Sequence, residues 1–297
     1  MQKIIPYLWF DTEAKEAATF YATLLPDSKV TRVTTITGTP SGDCDTVEFY
    51  MAGQPFMAIS AGPYFKMNPS ISFFINFDPS QDAEAEKRID TVWEKLSEGG
   101  KALMPLQAYP FSKKYGWIQD RYGVSWQLIL TNPDGEQRPV IMPSLMFTGA
   151  IAGKAEEATD FYLSVFTDSK RGTLARYPAG MTPDKEGSIM FTDFRIRDTW
   201  FAAMDSAYPH GFTFNESISL MVQCDSQEEL DDYWTKLSAV PKAEQCGWCK
   251  DKYGVSWQII PKALSEYLST DSSGKVMQAM LKMKKIDIAA LQAALNG

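Results

Sequence analysis

The stretch YGWIQDRYGVSWQLIL at 115–130 returns as CGWCKDKYGVSWQIIP at 246–261, with ten of sixteen positions identical and no gap. Alternation along the first copy puts Val124, Trp126 and Leu128 on one strand face and Ser125, Gln127 and Ile129 on the other. The glycines ahead of each strand, Gly123 and Gly254, sit where a tight turn requires a positive φ. Trp126 and Trp257 are expected to pack beneath helices as core, which leaves the glutamines Gln127 and Gln258 on the opposite face.

The repetition extends through the chain. EAATFYATLLPDSK (16–29) matches EATDFYLSVFTDSK (157–170), SISFFINFD (70–78) matches SISLMVQCD (217–225), and VWEKLS (92–97) matches YWTKLS (233–238). Ala17, Phe20, Tyr21 and Leu24 fall at helical spacing, as do Ala158, Phe161, Tyr162 and Val165. Ile89, Val92, Trp93 and Leu96 define a second helix, mirrored by Leu230, Tyr233, Trp234 and Leu237. Ser226 and Glu229 form a capping-box pair at the start of that last helix. Short β-rich runs punctuated by Gly and Pro lie between. The order strand, helix, three strands is thus written twice per half and four times in all, which predicts an α+β fold. The expected divisions are residues 1–135, 136–264 and a helical tail at 265–297, with a turn-rich linker at 131–142. Within the tail, GKVMQAMLKMKK and DIAALQAAL read as two short helices. Asp287 is the N-cap of the second, and Ile286 is stapled to Leu291.

Composition narrows the function classes. The chain has 297 residues, 44% apolar and 22% charged, with a net charge of −8. No basic run suggests a nucleic-acid surface, and no apolar stretch reaches the roughly 18 residues of a membrane span. The sequence MQKIIPYLWFDTE lacks a signal peptide's apolar core, so a cytoplasmic protein is expected. There is one histidine, His210, and there are four cysteines: Cys44, Cys224, Cys246 and Cys249.

Tandem βαβββ modules, FY near the end of the first helix and a terminal D-x-x-G-x-x-W-Q strand resemble the vicinal-oxygen-chelate or glyoxalase/bleomycin-resistance superfamily. VEFYMAGQPFMAISAGPYFKMNPSISFFINF and QCGWCKDKYGVSWQIIP resemble its PhnB-like group, often labelled 3-demethylubiquinone-9 3-methyltransferase. The resemblance implies that each pair of modules curls its strands into an incomplete barrel, making two cups. In metal-using members a cup holds a divalent ion through a His or Gln, a second His and a Glu. Here those positions fall near Pro6, Ser70 and Gln127 in the first half, and near Pro143, Ser217 and Gln258 in the second. None suits a tightly held transition metal, so no metal site and no cofactor are expected. Glu48 and its counterpart Asp193 remain as carboxylates able to hold a hard cation, or as solvated strand positions.

Three further motifs have ordinary readings. Cys246 and Cys249 have the C-x-x-C spacing of redox sites, but in an extended segment their Cα atoms lie about 10 Å apart, beyond disulfide reach. They are expected to be strand residues. His210 lies in a loop, where a surface role competes with that of a general base. S-adenosylmethionine-dependent methyl transfer has no glycine-rich turn or βαβα order to support it. The expected function is therefore binding of a small organic ligand in the cups. Candidate cup-facing residues are Gln127, Gln258, Ser70, Ser217, Glu48 and Asp193. An isomerase, lyase or oxygenase using carboxylates, or a role centred on forming a homodimer, are the alternatives.

Overall fold

A computed structural model describes residues 4–39 and 41–297. Its first module contains β1 (Ile5–Phe10), α1 (Ala14–Tyr21), β2 (Lys29–Thr39), β3 (Gly42–Met51) and β4 (Gln54–Ser60). The second contains β5 (Ile71–Phe77), α2 (Ala85–Ser97), β6 (Lys101–Tyr109), β7 (Ser112–Gln119) and β8 (Ser125–Leu130). The third contains β9 (Ile141–Thr148), α3 (Ala155–Val165), β10 (Lys170–Arg176), β11 (Ile189–Ile196) and β12 (Thr199–Ser206). The fourth contains β13 (Ile218–Cys224), α4 (Gln227–Leu237), β14 (Trp248–Lys250) and β15 (Ser256–Pro261). The tail forms α5 (Leu264–Thr270), α6 (Lys275–Met280) and α7 (Ile288–Asn296). The α+β class and the tandem modules agree with the sequence reading, and α5 is an additional helix.

The chain groups into two compact units, Pro6–Ile218 and Ser219–Gly297 with Ile4 and Ile5. The first unit holds an open eight-stranded sheet in the order β10-β11-β12-β9-β5-β8-β7-β6 and four strands in the order β1-β4-β3-β2. The eight-stranded sheet joins the second module to the third through antiparallel pairing of β5 with β9. The first and second modules meet on the helix side of their strands. There, Tyr21, Phe49, Phe56, Phe73 and Trp126 form a continuous run of ring contacts with centroids 5.2–6.1 Å apart. Ile89, Val92 and Leu96 of α2 are fully buried, as the helical spacing predicts. Burial of each such side chain contributes roughly 1.5–3 kcal/mol. Gly116 lets α2 approach β7 closely, because a Cβ there would lie 2.5 Å from the Trp93 ring.

In the second unit β14, β15 and β13 are neighbours in that order. The fourth module has two strands after its helix where three were expected. VWEKLS recurs 141 residues later (92 to 233), whereas the strand phrase recurs 131 residues later (115 to 246), so about half a hairpin is deleted between them. The tail supplies the missing hydrogen-bond partners: Cys246 N–H donates to Met283 O at 2.8 Å and Gly247 N–H to Lys284 O at 2.7 Å. Gln227 of α4 clamps the same segment, donating to Ile286 O at 3.1 Å and accepting from Ile288 N–H at 2.8 Å. Both N-cap side chains accept as expected, and the Glu229 carboxylate accepts from Asp225 N–H, one residue ahead of the cap. Ser226 Oγ accepts from Glu229 N–H, and Asp287 Oδ1 accepts from Ala290 N–H. Ile286 and Leu291 are both fully buried.

Candidate functional site

The repeated phrase builds the same local structure twice. Asp120 Oδ1 accepts from Tyr122 and Val124 N–H at 2.8 and 3.0 Å, which closes a turn through Gly123 at φ +86°. Its Oδ2 accepts from Trp126 Nε1 at 2.8 Å and from the Tyr21 hydroxyl at 2.9 Å. Asp251 repeats this with Tyr253 and Val255 N–H at 2.9 and 3.0 Å and with Trp257 Nε1 at 2.8 Å, and Gly254 has φ +90°. Both tryptophans are fully buried. Burial raises the Asp120 carboxyl to about 6, although four hydrogen bonds oppose the rise. These residues shape the turn and the core.

Helix α2 packs against β5, β7 and β8, and α3 against β11 and β12; Gln127 lies on the strand face opposite the buried Trp126. Strand register aligns Trp117, Gln127, Phe74 and Met142 in one row across β7, β8, β5 and β9. The next row reads Ser72, Ser144, Ala202 and Asp193 across β5, β9, β12 and β11. Three small side chains thus follow one another in this row, and all three are buried. Phe74, Tyr115, Met142 and Ala202 form a buried cluster, and half-buried Met104, Tyr109, Trp117, Ile129, Phe191, Trp200 and Met204 pack around it.

The polar groups on this face are few and connected. Tyr115 donates its hydroxyl proton to Gln127 Oε1 at 2.6 Å, and Gln127 Nε2 donates to Ser72 Oγ at 2.8 Å. Burial raises the Tyr115 phenol far above its ordinary range, so it stays a donor. Ser144 Oγ is buried and finds no hydrogen-bond partner among the described residues. At the end of the row, Arg138 from the linker donates through Nε to Asp193 Oδ2 at 2.7 Å and lies 4.0 Å above the Trp200 ring. Thr173 N–H donates to Asp193 Oδ1 at 2.6 Å. Gly172 makes room for this pair, since a Cβ there would fall 2.0 Å from Asp193 Oδ1.

The other expected site residues take varied positions. Gln258 Nε2 donates to Ser219 Oγ at 2.9 Å, the counterpart of the Gln127–Ser72 bond. Ser70 and Ser217 sit in matching loops, with their N–H groups donating to Asn68 and Asn215 Oδ1 at 2.9 Å each. Each asparagine amide then donates across to the opposite loop, Asn68 to Thr213 O and Asn215 to Lys66 O. Glu48 is half-buried on β3, 3.9 Å from Arg32. Asp193 is committed to Arg138. Pairing places Ser72, two residues after Ser70, and Ser144, one residue after Pro143, on the Gln127 face. The visible signal for Ser144 is a serine inside a wholly buried strand.

These donors do not fit the metal that the superfamily implies. Gln127 presents an amide already bonded at both ends, and its neighbours are serine hydroxyls and an alanine methyl. Among the described residues no three His, Cys, Asp or Glu side chains converge. His210 lies in the loop after β12, half-buried, with Nε2 2.7 Å from Ser206 Oγ. Burial lowers its pKa. Ser206 is four residues beyond Ala202, about 13 Å along the strand, so His210 is remote from Ser144. Cys249 lies in β14, whereas Cys246 precedes it in a turn at φ +52°. Both thiols are free, and burial raises both pKa values, opposite to the shift a redox C-x-x-C requires.

A family model described as 3-demethylubiquinone-9 3-methyltransferase matches residues 2–129 and 139–260, once in each half. Among solved structures, the PhnB protein from Bacillus cereus is 37% identical over 44% of this chain and 100% of its own, with a TM-score of 0.39. A protein from Pseudomonas aeruginosa is 22% identical over 44% of this chain and 98% of its own, with a TM-score of 0.38. Glyoxalase I from Zea mays is 13% identical over 85% of this chain and 89% of its own, with a TM-score of 0.50, a likeness of fold. No curated protein matches.

Proposed function

Because the chain belongs to the 3-demethylubiquinone-9 3-methyltransferase family, a PhnB-like group of the vicinal-oxygen-chelate superfamily, we propose that it binds a small, largely apolar organic molecule without a metal. The binding surface is the Gln127 face of the eight-stranded sheet. One observation carries this reading: a buried row of small residues, Ser72, Ser144 and Ala202, surrounded by half-buried methionines and aromatics. Ligand sites are mostly apolar surfaces with a few orienting polar groups, and this face has that composition. The Arg138–Asp193 pair supports binding over carboxylate chemistry, since it commits the acidic group of the row. Four free thiols and a net charge of −8 fit a cytoplasmic protein. Among the described residues no helix is long and apolar enough to cross a membrane.

The test is a thermal-shift screen of small aromatic compounds against the wild type and Ala202→Leu. Saturable stabilisation of the wild type, lost when leucine interrupts the row, is the expected result. A screen in which no aromatic compound stabilises the wild type would refute the reading.

A further inference from the structure

The hydrogen bonds on this face run in one direction. The Tyr115 hydroxyl has a single proton and gives it to Gln127 Oε1. That bond fixes the amide so that Nε2 faces Ser72 and donates to its oxygen. An oxygen that accepts from an amide must point its own proton elsewhere. Directly opposite Ser72, as its register partner on β9, stands Ser144 with a buried hydroxyl that is unbonded among the described residues. Cβ atoms of directly opposed residues lie about 4.5–5.5 Å apart. The two hydroxyls can therefore bracket one oxygen at about 2.8 Å from each.

We infer that Ser72 and Ser144 jointly donate to a single acceptor oxygen of the bound molecule, and that its class is the neutral aryl ketone. The inference rests on the proposed use of this face and adds the chemistry of the ligand. Neutrality follows from the two cations over Trp200 at the end of the row, because Arg138 is already paired with Asp193 and Glu136, and Lys170 with Glu136. A carboxylate ligand would have to displace one of these acids. The aryl body follows from the walls, with Phe74 and Met142 on one side of the serine pair and Trp200 and Met204 flanking Ala202 on β12. Flat aromatic surfaces and soft thioethers favour a planar ring. A buried hydroxyl gains by donating a hydrogen bond, so an acceptor oxygen placed beside Ser144 would be stabilised there.

The experiment titrates the full-length protein with 2-acetylnaphthalene and 2-ethylnaphthalene, which differ by a ketone oxygen, and reads tryptophan fluorescence. In the wild type the ketone should bind at least about tenfold more tightly. Ser144→Ala should weaken ketone binding about tenfold and leave 2-ethylnaphthalene within about twofold. Ser72→Ala should do the same and serves as the second variant if the first does not fold. Equal affinities in the wild type, or variants that bind the ketone unchanged, overturn the oxygen site while the apolar face still stands. Failure of both compounds to bind overturns the oxygen site and the reading beneath it.

Discussion

The indole N–H of Trp126 donates to the buried Asp120 carboxylate at 2.8 Å, and the same Asp120 accepts the hydroxyl proton of Tyr21 from the preceding module. One side chain thus ties a turn, a core tryptophan and the first helix together. Asp120→Asn would set an amide N–H against one of these donors or withdraw an acceptor from the turn. We expect a loss of about 2–4 kcal/mol, measured by urea unfolding, because a buried donor is left unpaired.

The same carboxylate gives a signed pH dependence. Burial raises it from 3.8 to about 6 in the folded protein. Its contribution to stability is therefore fully present below the unfolded pKa and is lost as pH rises through about 6. The stability gap between wild type and Asp120→Asn should be wider at pH 5 than at pH 8. An identical gap at both pH values would contradict the assignment.

Ser144→Ala removes a buried hydroxyl that has no hydrogen-bond partner among the described residues. The variant should be as stable as the wild type or about 1 kcal/mol more stable, since only an unsatisfied group is lost. Calorimetry showing a lower Tm would mean that the hydroxyl has a structural partner.

The tail should be integral to the second unit. Ile286 is fully buried, and the neighbouring carbonyls of Met283 and Lys284 satisfy two backbone donors of the fourth module. Ile286→Ala should cost about 2–5 kcal/mol. It should also speed amide exchange at Cys246 and Gly247, and unchanged protection there would show that the tail does not replace the deleted strand.

Gln127→Glu restores a carboxylate at the position where metal-using relatives would carry one. No transition-metal site should follow, because the flanking residues are Ser72, Ser144 and Ala202, which are poor ligands for such ions. Elemental analysis after dialysis against zinc or nickel should find less than about one ion per ten chains at micromolar free metal. Near-stoichiometric metal would show that the ligand set had been misjudged.

Much of the fold could be read locally. Helix faces such as Ile89–Val92–Leu96 follow from a 3.6-residue period, and the positive φ of Gly123 follows from the turn it closes. The proposed binding face was only half visible. Alternation puts Gln127 on the strand face opposite Trp126, and the structure bonds it there to Tyr115 and Ser72, whereas no local pattern marks Ser72 or Ser144 as part of that face. A one-residue difference in register moves a side chain to the other face, so Pro143 and Ser144 differ entirely in what they meet. The shortened fourth module was also misread, because its final phrase survived while the strand before it was deleted.

The sequence by itself determined the four modules, their buried tryptophans and the carboxylate turns, all of which depend on residues within a few positions of one another. Tertiary structure alone decided that β5 pairs with β9, and with it the row Ser72–Ser144–Ala202. Strand pairing is made by backbone groups that every residue carries, so side-chain identity marks a strand's faces without naming its neighbour.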